Sequence, residues 1–144
     1  MSVGRICTRV VVTAAESESV QGAARQMREK NVGTLVVVDD DGSPKGIVTD
    51  RDLVVRCLAE GLDPDGATLA QVMTRSPWTV DEDTPVSEAV ALMDRHGVRR
   101  LLVTGEGVEV SGMVSVDDVI LLLATEAARL GGVLSRDIPR LGRA

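Results

Sequence analysis

Apolar side chains recur at Val20, Ala23, Ala24 and Met27, and again at Val86, Ala89, Val90 and Met93. Both sets follow the i, i+3, i+4, i+7 spacing of one helix face. The second is entered through Thr84-Pro85, read as a capping residue followed by proline at the first helical position. A β-branched run at residues 10–13 predicts a strand before the first helix. Apolar runs at 34–38 and 100–103 predict one after each helix. Residues 39–44, Asp-Asp-Asp-Gly-Ser-Pro, form a turn by composition, and its acidic run reads as solvated. Residues 46–49 and 112–115 supply a last strand each, with helices following from Asp50 and Val116. The first of these is expected to end at Gly61, a natural C-terminal cap. Residues 126–134 can extend the final helix, and 135–144 read as a tail.

The chain repeats itself. A shift of 66 residues lays Thr8 on Thr74, Arg9 on Arg75, Thr13 on Thr79, Glu16 on Glu82, Met27 on Met93, Leu35 on Leu101, Gly46 on Gly112 and Asp52 on Asp118. A period of this length means one supersecondary unit used twice, each copy too small to bury a core alone. Each copy reads as helical lead-in, strand, helix, strand, turn, strand, helix, with residues 62–68 as linker. The expected fold class is mixed α/β (α+β): two small sheets, each with two packed helices, related by pseudo-twofold symmetry. Function is to be sought between the copies.

With 44% apolar residues and Trp78 as the one aromatic, aliphatic side chains and methionine must fill the core. Net charge is −6 and neither half carries a basic excess, which argues against nucleic acid as a partner. No apolar run approaches a membrane span and the first residues lack a signal-peptide pattern, so the expected location is cytoplasmic. Cys7 and Cys57 read as reduced thiols. With His96 the single histidine, no metal site and no catalytic set can be assembled.

The sharpest local pattern is Gly46-Ile47-Val48-Thr49-Asp50-Arg51-Asp52, matched by Gly112-Met113-Val114-Ser115-Val116-Asp117-Asp118. A hydroxyl at a strand-to-helix junction can donate to a phosphate, and the free N–H groups of the helix start favour an anion. One turn on, a carboxylate can accept both hydrogens of a ribose diol. The glycine lets a ligand approach the backbone, and Ile47 or Met113 can pack against a base. The same residues also make a helix capping box, in which hydroxyl and carboxylate satisfy backbone N–H groups. Both readings stand at this point. Arg51 and Arg56 can reach phosphate or form a solvated helix face, and His96 reads as a favourable charge at a helix end. The variable pair is Asp50-Arg51 in the first motif and Val116-Asp117 in the second, so phosphate-rich ligands are expected to favour the first.

Val72-Met-Thr-Arg-x-Pro-x-Thr-Val80, Met27-x4-Val-x2-Leu-x-Val37, His96-Gly-Val-Arg-Arg-Leu101 and the two Gly-x-x-Thr/Ser-x-x-Asp segments together resemble a tandem of cystathionine-β-synthase (CBS) domains, the pair called a Bateman module. The stretches from Asp50 to Leu53 and from Gly61 to Pro64 resemble small stand-alone bacterial members. The resemblance implies a first repeat over 1–61, a linker and lead-in over 62–71, a second repeat over 72–126 and a C-terminal extension over 127–144. It implies an adenine nucleotide (AMP, ADP or ATP) or a related adenosyl ligand in the cleft between copies, and no cofactor. Thr49 and Ser115 would contact phosphate and Asp52 and Asp118 would hold ribose. Thr13 and Thr79 would border the base with Ile47 and Met113. Arg99 and Arg100 would supply positive charge, although the first copy has Gly33 and Thr34 at those positions.

The leading expectation is a non-enzymatic, ligand-sensing regulatory module, homodimeric through apolar helix faces and acting on a protein effector, with no nucleic acid or membrane partner. A constitutive dimerisation or scaffold protein, with Asp52 and Asp118 as caps, is the alternative.

Overall fold

The computed structural model describes residues 1–137. The first copy contains β1 (Thr13–Ala15), α1 (Val20–Lys30), β2 (Thr34–Val38), β3 (Pro44–Thr49) and α2 (Asp50–Leu53), which continues as a π turn over Val54–Leu58. After the linker come α3 (Leu69–Val72) and β4 (Thr74–Arg75). The second copy adds β5 (Thr79–Asp81), α4 (Val86–His96), β6 (Arg100–Thr104), β7 (Val110–Ser115) and α5 (Val116–Asp137). One sheet runs β1-β2-β3-β4 and the other β5-β6-β7. In each, the first pair is parallel across a crossover helix and the next is an antiparallel hairpin. The fold is mixed α/β with two small sheets.

Local chemistry explains the element ends. Ser19 caps α1 by accepting the Gly22 N–H at 3.0 Å, and Asn31 closes the helix in the left-handed region. Pro85 occupies the capping position of α4 rather than its first turn, and its carbonyl accepts the Glu88 and Ala89 N–H groups. The helix from Asp50 leaves α-geometry at Val54, where the Ala59 N–H reaches the Val54 carbonyl at 2.8 Å, before the chain turns at Gly61. At the other end, α5 runs beyond the expected extension to Asp137; the remainder of the expected tail lies outside the described residues.

The packing units differ from the repeats read along the chain, because the lead-ins are exchanged. A 3₁₀ turn over Val3–Arg5 docks on the second copy: the Val3 N–H donates to the Thr84 carbonyl and the Gly4 N–H to the Glu82 carbonyl. Val3 is fully buried with Val80, Ala89, Met93 and Leu101. Reciprocally, Leu69 and Ala70 donate to the Glu18 and Glu16 carbonyls, and Leu69, Val72 and Met73 complete the first copy's core. The strand edges follow suit: Thr74 pairs with Ile47 in β3, and Thr8 bridges to Met113 in β7. This exchange also moves the first strand away from the run expected at residues 10–13. With Thr8 held at the other sheet, residues 10 and 11 span the gap and the ladder to β2 begins at Thr13.

Gly46 and Gly112 sit where each exchanged lead-in crosses. A Cβ on Gly46 would meet the Met73 sulfur at 2.5 Å and the Thr74 carbonyl at 2.9 Å, and one on Gly112 would meet the Cys7 sulfur at 2.9 Å. Their missing side chains admit polypeptide, where the sequence suggests room for a ligand.

The central strands are buried on both faces. Leu35 and Val37 belong to the first core and Leu101 and Val103 to the second, on the helix-covered faces. Val36 and Leu102 point the opposite way, are equally buried and belong to neither core. Thr34 and Met113, which share these faces with Val36 and Leu102, line one pocket, so the two faces are turned towards each other. The copies therefore meet along the face that carries Val36 and Leu102.

Candidate functional site

Strand register places the motif residues on that shared face. Thr34 lies directly opposite Thr49, and Val36 opposite Ile47. In the second copy Arg100 lies opposite Ser115, and Leu102 opposite Met113. Directly opposed residues in an antiparallel pair share a face. Ile47, Thr49, Met113, Ser115 and Arg100 thus all project from the inner faces, and Arg100 stands beside Ser115.

At each strand end the hydroxyl and carboxylate hold one another. The Thr49 N–H donates to Asp52 Oδ2 at 2.8 Å, the Thr49 hydroxyl donates to the same oxygen at 3.1 Å, and the Asp52 N–H returns to Thr49 Oγ1 at 3.3 Å. Ser115 and Asp118 repeat this at 2.8, 2.8 and 3.3 Å. The capping box is therefore formed in both copies. Each box engages Oδ2, leaving Oδ1 to other partners. Opposite the helix starts, the Gly33 carbonyl accepts the Asp50 N–H and the Arg99 carbonyl accepts the Val116 N–H, both at 3.0 Å.

A pocket of about 200 Å³ opens between the copies, walled by Thr8, Val10, Val12, Val32 and Thr34 from the first and Met113 from the second. Whole-ligand pockets typically measure ~300–1,000 Å³. This space suits a flat ring, with the rest of a ligand lying along the strand ends. Met113 is two residues from Ser115 on the same strand face, and Gly33 and Thr34, also in the lining, lie beside Asp50 and Thr49, so the pocket borders both motifs. The sequence reading does not single out Val10, Val32 or Thr8 as walls. The identity of Thr8 with Thr74 is the available signal, since both are the crossing residues. Thr13 and Thr79 open β1 and β5, are exposed, and are not part of this lining.

The arginines separate. Arg99 is exposed with its guanidinium 3.8 Å from the Asp117 carboxylate, which offsets the extra negative charge of the second motif. Charge count alone therefore does not rank the sites. Arg51 is exposed and makes no ion pair among the described residues. Arg56 donates to the Val72 carbonyl at 3.0 Å and to Thr74 Oγ1 at 3.3 Å, with its Nε 3.7 Å from Asp52 Oδ1.

His96 ends α4 as expected, and its ring stacks on Trp78 with centroids 3.6 Å apart. Burial pushes the Cys7 thiol above its ordinary value. In the acidic turn, Asp39 accepts the Asp41 and Ser43 N–H groups; the Ser43 bond is the main cause holding its carboxyl below the ordinary range. Among the described residues there is no group of three or more His, Cys, Asp or Glu side chains able to hold a metal, and no helix long and apolar enough to cross a membrane.

The CBS-domain family description matches residues 3–58 and 69–125. Protein MK0525 of Methanopyrus kandleri is 36% identical over 120 residues, 83% of this chain and 61% of that protein, so the chain spans under two thirds of that relative. Hypoxic response protein 1 of Mycobacterium tuberculosis is 37% identical over 109 residues, 76% of each chain. The crystal structure of the latter, with two coordinated zinc ions, superposes with a TM-score of 0.72 at 32% identity over 83% of this chain and 97% of that one. The CBS domain pair of protein MJ0100, in complex with 5′-methylthioadenosine and S-adenosyl-L-methionine, gives a TM-score of 0.76 at 27% identity, covering 88% and 98%.

Proposed function

The chain belongs to the CBS-domain family, with two copies in tandem, and on that premise we propose that it is a ligand-sensing regulatory module binding an adenine nucleotide or related adenosyl ligand between the copies. Proteins built on CBS pairs are generally regulatory rather than catalytic, and this chain is read in the same way. The observation that carries the reading is the apolar pocket between the copies, bounded by Val10, Val12 and Met113 and lying between the Thr49 and Ser115 strand ends. A ring in the pocket, a ribose at Asp118 and phosphate near Ser115 and Arg100 make one continuous footprint. The adenosyl ligands of the MJ0100 pair support the same class of ligand. Thr49, Asp52, Ile47 and Arg51 form the corresponding set in the first copy, with Thr13 and Thr79 at the strand starts and Arg99 at the rim.

The closed capping boxes favour a second reading, a scaffold whose carboxylates serve only the helix ends. The test is calorimetry with AMP, ADP, ATP and S-adenosyl-L-methionine on wild type and on the Asp52→Ala/Asp118→Ala double variant. Each lost charge-assisted hydrogen bond is worth about 1.5–3 kcal/mol, so binding should fall beyond detection. Equal affinity in both proteins, or no binding by wild type, returns the carboxylates to capping.

The same reading includes self-association. Val54, Leu58, Ile120, Leu121 and Leu123 are large apolar side chains between 56% and 68% exposed on the helices. Twofold pairing is the usual way to cover such a face. A protein effector then senses the ligand through this assembly.

A further inference from the structure

We propose that Arg56 is a built-in occupant of the first site, so that an adenosyl ligand binds with higher affinity at Ser115/Asp118 than at Thr49/Asp52. This rests on the adenosyl reading above and says which half of the molecule carries it. The two capping boxes have nearly the same hydrogen-bond lengths, yet the free carboxylate oxygens meet different surroundings. Asp52 Oδ1 faces the Arg56 guanidinium at 3.7 Å, and Arg56 is anchored there by the Val72 carbonyl and the Thr74 hydroxyl. A ribose diol arriving at Asp52 must share that oxygen with a cation already tied to the exchanged lead-in.

In the second copy the position of Arg56 is held by Leu122. No cation lies within ion-pair distance of Asp118 among the described residues. A groove of about 380 Å³ opens beside Asp118 instead, floored by Ile6, Leu121 and Leu122; Arg5 and Arg129 also line it, beyond ion-pair distance of Asp118, and Arg129 is paired with Glu126. Ile6 and Thr8 stand where Val72 and Thr74 stand in the first copy, so the acceptors for an arginine at 122 are present while the arginine is not.

A second difference separates the copies. Val12 lines the pocket between the copies, whereas its counterpart Trp78 is stacked on His96. The Val12 and Trp78 carbonyls accept equivalent bonds from Val36 and Leu102, so the backbones match and only the side chains differ. The order of the sites is thus the reverse of that expected from motif charge.

The test is calorimetry of the full chain with AMP and S-adenosyl-L-methionine as probes. Wild type should show one tighter and one weaker event, and Asp118→Asn should remove the tighter one. Arg56→Leu should strengthen the weaker event, by up to about fivefold, the range of an exposed ion pair. Leu122→Arg, which transplants the occupant, should weaken the tighter event by a comparable factor. It also provides a test should Arg56→Leu fold poorly. If Asp118→Asn spares the tighter event, or Leu122→Arg leaves it unchanged, the assignment of sites is wrong while ligand binding itself stands. If neither probe binds wild type or any variant, the adenosyl reading falls and this inference with it.

Discussion

Arg9 and Glu82 form an ion pair that joins the lead-in of the first copy to the body of the second, and Arg9 also donates to the Gly4 carbonyl at 2.9 Å. The repeat reproduces the arrangement in reverse, with Arg75 bound to Glu16 at 3.1 Å and to the Ala70 carbonyl at 3.2 Å. The hydrogen bond from Arg9 is the main cause holding the Glu82 carboxyl below its ordinary value of 4.5. A carboxylate with a lowered folded-state value stabilises the fold above its ordinary pKa, and the stabilisation is lost as pH falls through the lowered value. Melting temperatures of wild type and Glu82→Gln should therefore differ at pH 7 and converge as the buffer is taken below 4.5. A gap that persists undiminished at low pH would show that the pair contributes nothing by charge.

Substitution of Gly46 should reveal the tightness of the crossing. Gly46→Ala drives a Cβ into the Met73 sulfur and the Thr74 carbonyl, and overpacking of this kind costs about 1–3 kcal/mol. Gly131 offers the contrast, since it lies in α5 with nothing within 4 Å of the place a Cβ would take. Gly131→Ala should stabilise by about 0.5–1 kcal/mol. Urea unfolding of the two variants reads both signs, and equal effects would remove the packing argument.

Leu58→Glu and Leu121→Glu should shift the protein to monomer in light scattering without lowering its helical content, because both side chains are about two-thirds exposed in one chain. A wild type that is monomeric at every concentration would contradict the proposed assembly.

Trp78 is the sole intrinsic fluorophore, and it stacks on His96 at an interplanar angle of 15°. His96→Ala should free the indole, changing emission intensity and costing about 0.5–1.5 kcal/mol, the range for an aromatic pair. An unaltered spectrum would mean that the stack does not form in solution.

The helix faces are legible in the sequence because Val20, Ala23 and Met27 obey one period and their counterparts repeat it; Ala23 and Met27 are core, as are Ala89 and Met93. The junction hydroxyls and carboxylates are legible as a pair of alternatives, and the capping geometry is the one the structure displays. The exchange is not legible. Val3 and Leu69 read as apolar lead-in positions, and nothing in an apolar residue says which of two equivalent cores receives it. The first strand is misplaced by sequence reasoning for that same reason, since the pull of Met113 on Thr8 is a tertiary effect. Arg56 looks like a helix-face residue because its partners, Val72 and Thr74, are brought to it only by the crossing.

The reciprocal crossing also has a bearing on what a break in the connection between the copies would do. Each half would be released missing its own innermost wedge, Val3 in one case and Leu69 in the other, while still carrying the wedge that fits its counterpart. Such halves should be poor folders in isolation and mutual templates when mixed. The tether over residues 62–68 then acts by holding the counterpart at an effective concentration of order millimolar, the range for short flexible linkers. Integrity of the molecule becomes a matter of proximity, and the peptide bond between the copies supplies it.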